Sequence, residues 1–176
     1  MSTVAQMEKK SVMAPVAAEF REEAQTTRRV LERVPADKLG WKPHQKSLSI
    51  GQLALHIAVL PGRFAPLLQK TVHEVNPANF QFPQPASREE ILAAFEQSTK
   101  DAGAFLESLD DANAQAQWTL TANGRTLFTR TRLGVIRMIM LSHVYHHRGE
   151  LAVYLRLLDV PVPSIYGPSA DENPFA

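Results

Sequence analysis

Three histidines carry the strongest chemical signal in this chain: His143 and His147 near the end, and His56 far upstream. His143 and His147 stand i and i+4, a spacing that stacks two side chains on one helix face, one turn apart. Two imidazoles so placed can grip one metal ion, and a third from another helix would complete a three-nitrogen face. Catalytic metal sites commonly use three protein ligands and leave one position open to water or substrate. The competing explanation is packing. A single buried histidine, such as His56 taken alone, is most simply a core residue hydrogen-bonded to a backbone carbonyl. Two on one buried stripe are harder to place that way, because each ring needs partners for both nitrogens and a shared ion supplies one to each.

His146 competes with His147, since it also lies near His143 in spacing. The apolar stripe favours His147, because Met140, Leu151 and Tyr154 continue it, whereas His146 lines up with Ser142 and Glu150 and reads as a rim or outer-layer residue. His44 and His73 fall in or near loops and read as surface groups. Two familiar metal chemistries are excluded. A zincin helix places Glu directly after its first histidine, and here that residue is Val144. Di-iron carboxylate bundles need Glu-x-x-His. The residues three before the six histidines are Trp41, Leu53, Lys70, Met140, His143 and Val144. A mononuclear three-histidine site without an attached carboxylate remains.

The elements that must position these residues are mostly helical. A first helix spans about Pro15 to Val34, on the recurrence of Val16, Phe20, Ala24, Thr27 and Leu31, and Pro35 stops it. A second opens at Ser49, with Gln52 completing a capping box, and Leu53, His56, Ile57, Leu60 and Phe64 share its stripe. Pro61 either kinks this helix or lies beyond a break in it. The segment from Val75 to Pro85 reads as loop. Ser87 and Glu90 form a second capping box, opening a third helix through about Leu109, with Ile91, Ala94, Phe95, Ala102, Phe105 and Leu106 buried. Trp118 to Ala122 and Arg125 to Thr129 alternate around Asn123–Gly124, a type I′ turn signal. That hairpin would pair Leu120 with Leu127 beside Trp118. The last and longest helix runs from roughly Arg132 to Leu158, with Ile136, Met140, His143, His147, Leu151 and Tyr154 on one stripe. The whole reads as an all-α single domain over 1–176, a four-helix bundle with a small β-hairpin before the last helix.

Composition narrows the function classes. Apolar residues make up 44%, charged residues 21%, and the net charge is +1, which argues for a soluble globule and against a nucleic-acid binder driven by phosphate neutralisation. The local basic groups, Arg28–Arg29 and Arg130, Arg132, Arg137, read equally as solvated helix faces or as partner contacts. With no cysteine there is no disulfide, thiol nucleophile or cysteine-bound zinc, so any metal is held by nitrogen and oxygen. Lys9–Lys10 precede no apolar run of signal-peptide length, and no stretch is long enough to span a bilayer. The expected address is cytoplasmic, with no membrane contact.

Two stretches, Ser49-Ile-Gly-Gln-Leu-Ala-Leu-His56 and Ser142-His-Val-Tyr-His-His-Arg-Gly-Glu-Leu151, resemble the second helix and the last-helix signature of the DinB/YfiT-like family. Trp41-Lys-Pro and the tail Val162-Pro-Ser-Ile-Tyr-Gly-Pro-Ser-Ala-Asp171 fit the same pattern. The resemblance implies an up-down-down-up four-helix bundle and a homodimer. It also implies a divalent ion, zinc or nickel foremost, held by His56, His143 and His147. Three neutral imidazoles leave the +2 charge uncompensated, so a bound thiol or water is acidified. The activity implied is a metal-dependent S-transferase acting on a small-molecule substrate through a low-molecular-weight thiol. The alternatives are a metal-dependent hydrolase and a non-catalytic, stress-linked metal-binding bundle. Arg148 or Glu150 could orient a ligand or steer an anionic thiol, though an exposed helix-surface role is the expectation for both. Tyr145 and Tyr154 read as packing. The tail after Pro161 either folds over the bundle mouth or packs along its surface.

Overall fold

Residues 11–175 are described in the computed structural model; Lys9–Lys10 lie outside them. The molecule is mostly helical with a small three-stranded sheet. Helix α1 covers Met13–Leu31 and buries Val16, Phe20, Thr27 and Leu31. Helix α2 covers Ile50–Phe64. Its capping box forms as its sequence dictates: Ser49 Oγ accepts from Gln52 N (3.1 Å) and Gln52 Oε1 accepts from Ser49 N (3.0 Å). Helix α3 covers Arg88–Ser108 and is capped by Ser87, which accepts from Glu90 N. The Glu90 carboxylate reaches one residue further back than a capping box requires, to Ala86 N at 2.6 Å.

Pro61 neither breaks nor ends α2, which runs on to Phe64. Proline removes one backbone donor from the turn, and the neighbouring Gly62 N–H donates instead to Ser98 Oγ of α3 (2.8 Å). The helices touch here at backbone range, because a Cβ added to Gly62 would lie 2.7 Å from Ser98 Cα. Gly62→Ala is therefore expected to force α2 and α3 apart. Overpacking of this kind costs about 1–3 kcal/mol, or a fall in Tm of roughly 2–12 °C for a chain of this size. A melting temperature within a degree of wild type would refute the close contact.

After α3 come the short helix α4 (Asp111–Gln115) and the strands β2 (Gln117–Ala122) and β3 (Arg125–Thr131). The strands turn at Asn123 and Gly124, whose φ values of 50° and 70° are those of a type I′ turn. The register departs from the expected one. A bulge between Leu120 and Thr121 shifts the pairing, so Leu120 faces Phe128 while Leu127 is exposed. One extra residue on one strand reverses which side chains face inward, and it brings Phe128 to the buried Trp118. A third strand, β1 (Val72–Glu74), pairs in parallel with β2. It places His73 half-buried, stacked on Trp118, rather than on a surface loop.

The last helical run is continuous but not uniform. It begins with α5 (Arg132–Val135), passes through a π-helical segment over Ile136–Ser142, and continues as α6 (His143–Leu157). A π segment inserts residues into the helical count and rotates everything after it. The buried line in α6 is accordingly Val144, Arg148, Leu151 and Leu155. His143, His147 and Tyr154 sit beside it, half-buried, rather than on it. Arg132 also departs from a solvated reading. It is buried, and its guanidinium donates to the carbonyls of Leu68 (2.8 Å) and Asn113 (2.9 Å), which ties the start of this run to the segments after α2 and in α4. No described helix is long and apolar enough to cross a membrane.

Candidate metal centre

His56 comes from the middle of α2; His143 opens α6 immediately after the π segment, and His147 follows one turn on. Their Nε2 atoms converge. His143 Nε2 lies 2.8 Å from His147 Nε2 and 3.3 Å from His56 Nε2, and all three ligating nitrogens fall within 4.8 Å of one another. At a metal–nitrogen length of about 2.0–2.1 Å, tetrahedral ligand atoms stand about 3.3 Å apart, so the set fits a divalent ion with small adjustments.

The hydrogen bonding supports that fit. His147 Nδ1 lies 2.6 Å from Glu150 Oε2. A carboxylate only accepts, so Nδ1 carries the proton and the Nε2 lone pair points into the cluster. His143 Nε2 then has one hydrogen at most for two neighbouring nitrogens. Three inward nitrogens with too few protons between them suit a cation at their centre. This is the carboxylate–histidine arrangement that orients metal-ligating imidazoles.

Electrostatics keep the His56 and His143 rings neutral. Burial, reinforced by the nearby His147 and His143, pushes the His56 pKa from its ordinary 6.5 to about 4. Burial likewise lowers that of His143, with His147 and His146 adding to it. In metal-free protein the sign of the pH dependence follows. The unfolded chain takes up the His56 proton near pH 6.5 and the folded one only near 4, so stability is full above 6.5 and falls as pH drops between those values. Thermal melts of chelator-treated protein should decline across that window, and the decline should shrink in His56→Gln. An equal slope in that variant would remove His56 as its cause.

The remaining polar groups sort themselves around the cluster. His146 is exposed and sits 3.3 Å from Glu150 Oε1, outside the converging three. His44 is exposed in its loop. Phe82, from the segment before α3, meets the His56 ring edge-on at 5.2 Å. Glu150, expected on an open helix surface, is exposed but holds His147. Arg148 is not a surface residue at all. It is 1% exposed, paired with Glu23 of α1 at 2.7 Å, and donates to Thr27 Oγ1 (3.0 Å) and to the Tyr166 hydroxyl. The Tyr145 and Tyr166 rings flank its guanidinium at 5.2 and 5.1 Å. Tyr145 also donates to Glu19 (3.1 Å), and burial next to Glu23 and Glu19 pushes its pKa upward. Arg148 is thus fully engaged and cannot steer a ligand. The tail packs along α1 and α6: Tyr166 joins this network, Glu172 pairs with Arg29, and Asp171 with Arg156.

The family profile of DinB matches residues 1–174, and the chain belongs to the DinB family. Two Bacillus subtilis (strain 168) proteins, both uncharacterized, are related to it. YrdA is 28% identical over 153 residues, covering 85% of each chain. YjoA is 27% identical over 142 residues, covering 80% of this chain and 87% of its own. Among solved structures, a DinB-like protein from Bacillus cereus ATCC 10987 superposes with a TM-score of 0.65 at 18% identity, over 85% of this chain and 94% of that one. The YjoA crystal structure gives 0.63 at 21% identity, over 84% and 96%. At such identities these two likenesses speak for the fold.

Proposed function

We propose that this protein binds one divalent ion through His56, His143 and His147 and uses it as a thiol S-transferase. The observation that carries this reading is the convergence of three Nε2 atoms, with the His147 ring fixed by Glu150. Among the described residues no fourth His, Cys, Asp or Glu side chain joins the three, which leaves a position for an exogenous ligand. When bound, such an ion lowers the pKa of a thiol or water that coordinates it. The residues of the chain do the rest. Glu150 accepts a hydrogen bond from His147 Nδ1–H and so holds the ring, burial keeps His56 and His143 neutral, and Phe82 covers one side of His56.

Zinc and nickel suit imidazole ligands, and cellular supply selects between them. In the same reading the long helices form the up-down-down-up bundle of a single domain, and the protein acts as a homodimer in the cytoplasm on a small-molecule substrate. Thiol transfer ranks ahead of hydrolysis because Glu150, the carboxylate found beside the cluster among the described residues, is already committed to His147 and His146 and is not free as a general base.

The test is thiol consumption with an electrophile such as 1-chloro-2,4-dinitrobenzene, comparing metal-loaded and chelator-stripped protein across a panel of small thiols. Consumption that returns with added metal supports the transferase. Equal rates in loaded and stripped protein across the panel would end it.

A further inference from the structure

The outer face of α6 is flanked by Glu150, which holds His147, and by Arg156, which pairs with Asp171 of the tail. Between them it carries two large apolar side chains, Val153 and Leu157, which are 57% and 58% exposed. Four residues apart, they share one side of the helix, and Gly149, one turn earlier, is exposed there too. Glycine inside a helix costs about 1 kcal/mol relative to alanine. Nothing within the chain accounts for that cost. The backbone at Gly149 is helical, and among the described residues no atom lies within 4 Å of a Cβ added to it.

The face is self-complementary about Val153. Gly149 and Leu157 lie four residues to either side of it, about 6 Å along the helix axis, and Glu150 and Arg156 lie three to either side, about 4.5 Å. A two-fold axis through Val153 packs a second α6 antiparallel to the first, as in an isologous dimer. Each residue then faces the one equally far on the other side of Val153. Leu157 fills the space over the partner subunit's Gly149, and Glu150 meets the partner subunit's Arg156. A parallel pairing would set Glu150 against its own copy and Arg156 against its own, with like charges together. Both groups can keep their partners within the chain, since a carboxylate has about four acceptor sites and a guanidinium five donors. We propose that this face is the homodimer interface, with two α6 helices packed antiparallel on a two-fold axis at Val153. It rests on the homodimer of the reading above and places an arginine of each subunit beside the carboxylate that orients the other's metal-ligating ring.

Sedimentation velocity of the full chain over a range of concentrations reads the association. Wild type should dimerise reversibly. Val153→Glu puts two carboxylates on the axis and should raise the dimer Kd at least tenfold, as should Gly149→Leu, which fills the space that receives Leu157. Leu127→Glu, with the same charge on the exposed hairpin leucine, should change it less than twofold. Melting curves establish that each variant is folded. The chain has no cysteine, so Val153→Cys gives a second readout. Helix axes about 8–10 Å apart bring two cysteines on the axis within disulfide reach. Diamide should therefore link Val153→Cys into a covalent dimer and leave Leu127→Cys unlinked. A wild type that dimerises, with its Kd kept in Val153→Glu or with Val153→Cys unlinked, overturns this interface and leaves the homodimer standing. A wild type that stays monomeric at every concentration ends the homodimer and the interface with it.

Discussion

Replacing Arg148 with methionine is expected to destabilise the fold by about 3–5 kcal/mol, the cost of breaking a buried ion pair from one side. Glu23 would keep its partly buried carboxylate, and Tyr166, at 3.0 Å, would be left as its donor. The backbone carbonyl of Glu23 and the hydroxyl of Thr27 would each lose an arginine donor. For a chain of this length the loss corresponds to a fall of roughly 6–20 °C in Tm. The double variant Arg148→Met with Glu23→Leu should recover much of it, because removing both charges also removes their desolvation cost. The readout is thermal unfolding of metal-free protein, which separates the effect from any change at the neighbouring His147. A single variant that melts within 2 °C of wild type would show that the pair does not hold α6 and the tail to α1.

Glu150→Ala is expected to weaken metal binding 10- to 100-fold, the usual effect of losing the carboxylate that orients a ligating imidazole. Without it the His147 ring can turn, and its protonated nitrogen can face the other two rings. Glu150→Gln keeps an acceptor for Nδ1–H but loses the charge, so its affinity should fall between alanine and wild type. The measurement is competition against a chromogenic chelator, with His146→Ala beside it. His146 lies outside the converging set, so its removal should change affinity by less than threefold. A larger loss in His146→Ala than in Glu150→Ala would exchange the roles assigned to the two residues.

Much of this was legible locally. The capping pair Ser49 and Gln52 marks the start of α2, and Asn123–Gly124 marks the hairpin turn, because each is a short-range contact written in adjacent residues. The three histidines could be named because i,i+4 spacing is geometry and His56 falls on a helical stripe. What escaped depends on distant partners or on a change of period. Nothing near Arg148 announces that Glu23, 125 residues earlier, will bury it. Arg132, open to reading as a solvated face or a partner contact, is neither, because its partners are carbonyls in two other segments of the chain. Strand β1 has three residues, too few to show alternation. The π segment shifted the buried line of α6 and moved the histidines to its margin, where solvent can reach them. The bulge next to Leu120 did the same to Leu127 in the sheet.

The most direct measurement is the metal content of untagged protein, purified without chelator or added metal, for wild type beside His147→Ala. Close to one divalent ion per chain in the wild type, lost in the variant while it remains folded, is the predicted result. No bound ion in the wild type, even after incubation with zinc and nickel, would contradict the account and return the three histidines to a packing role.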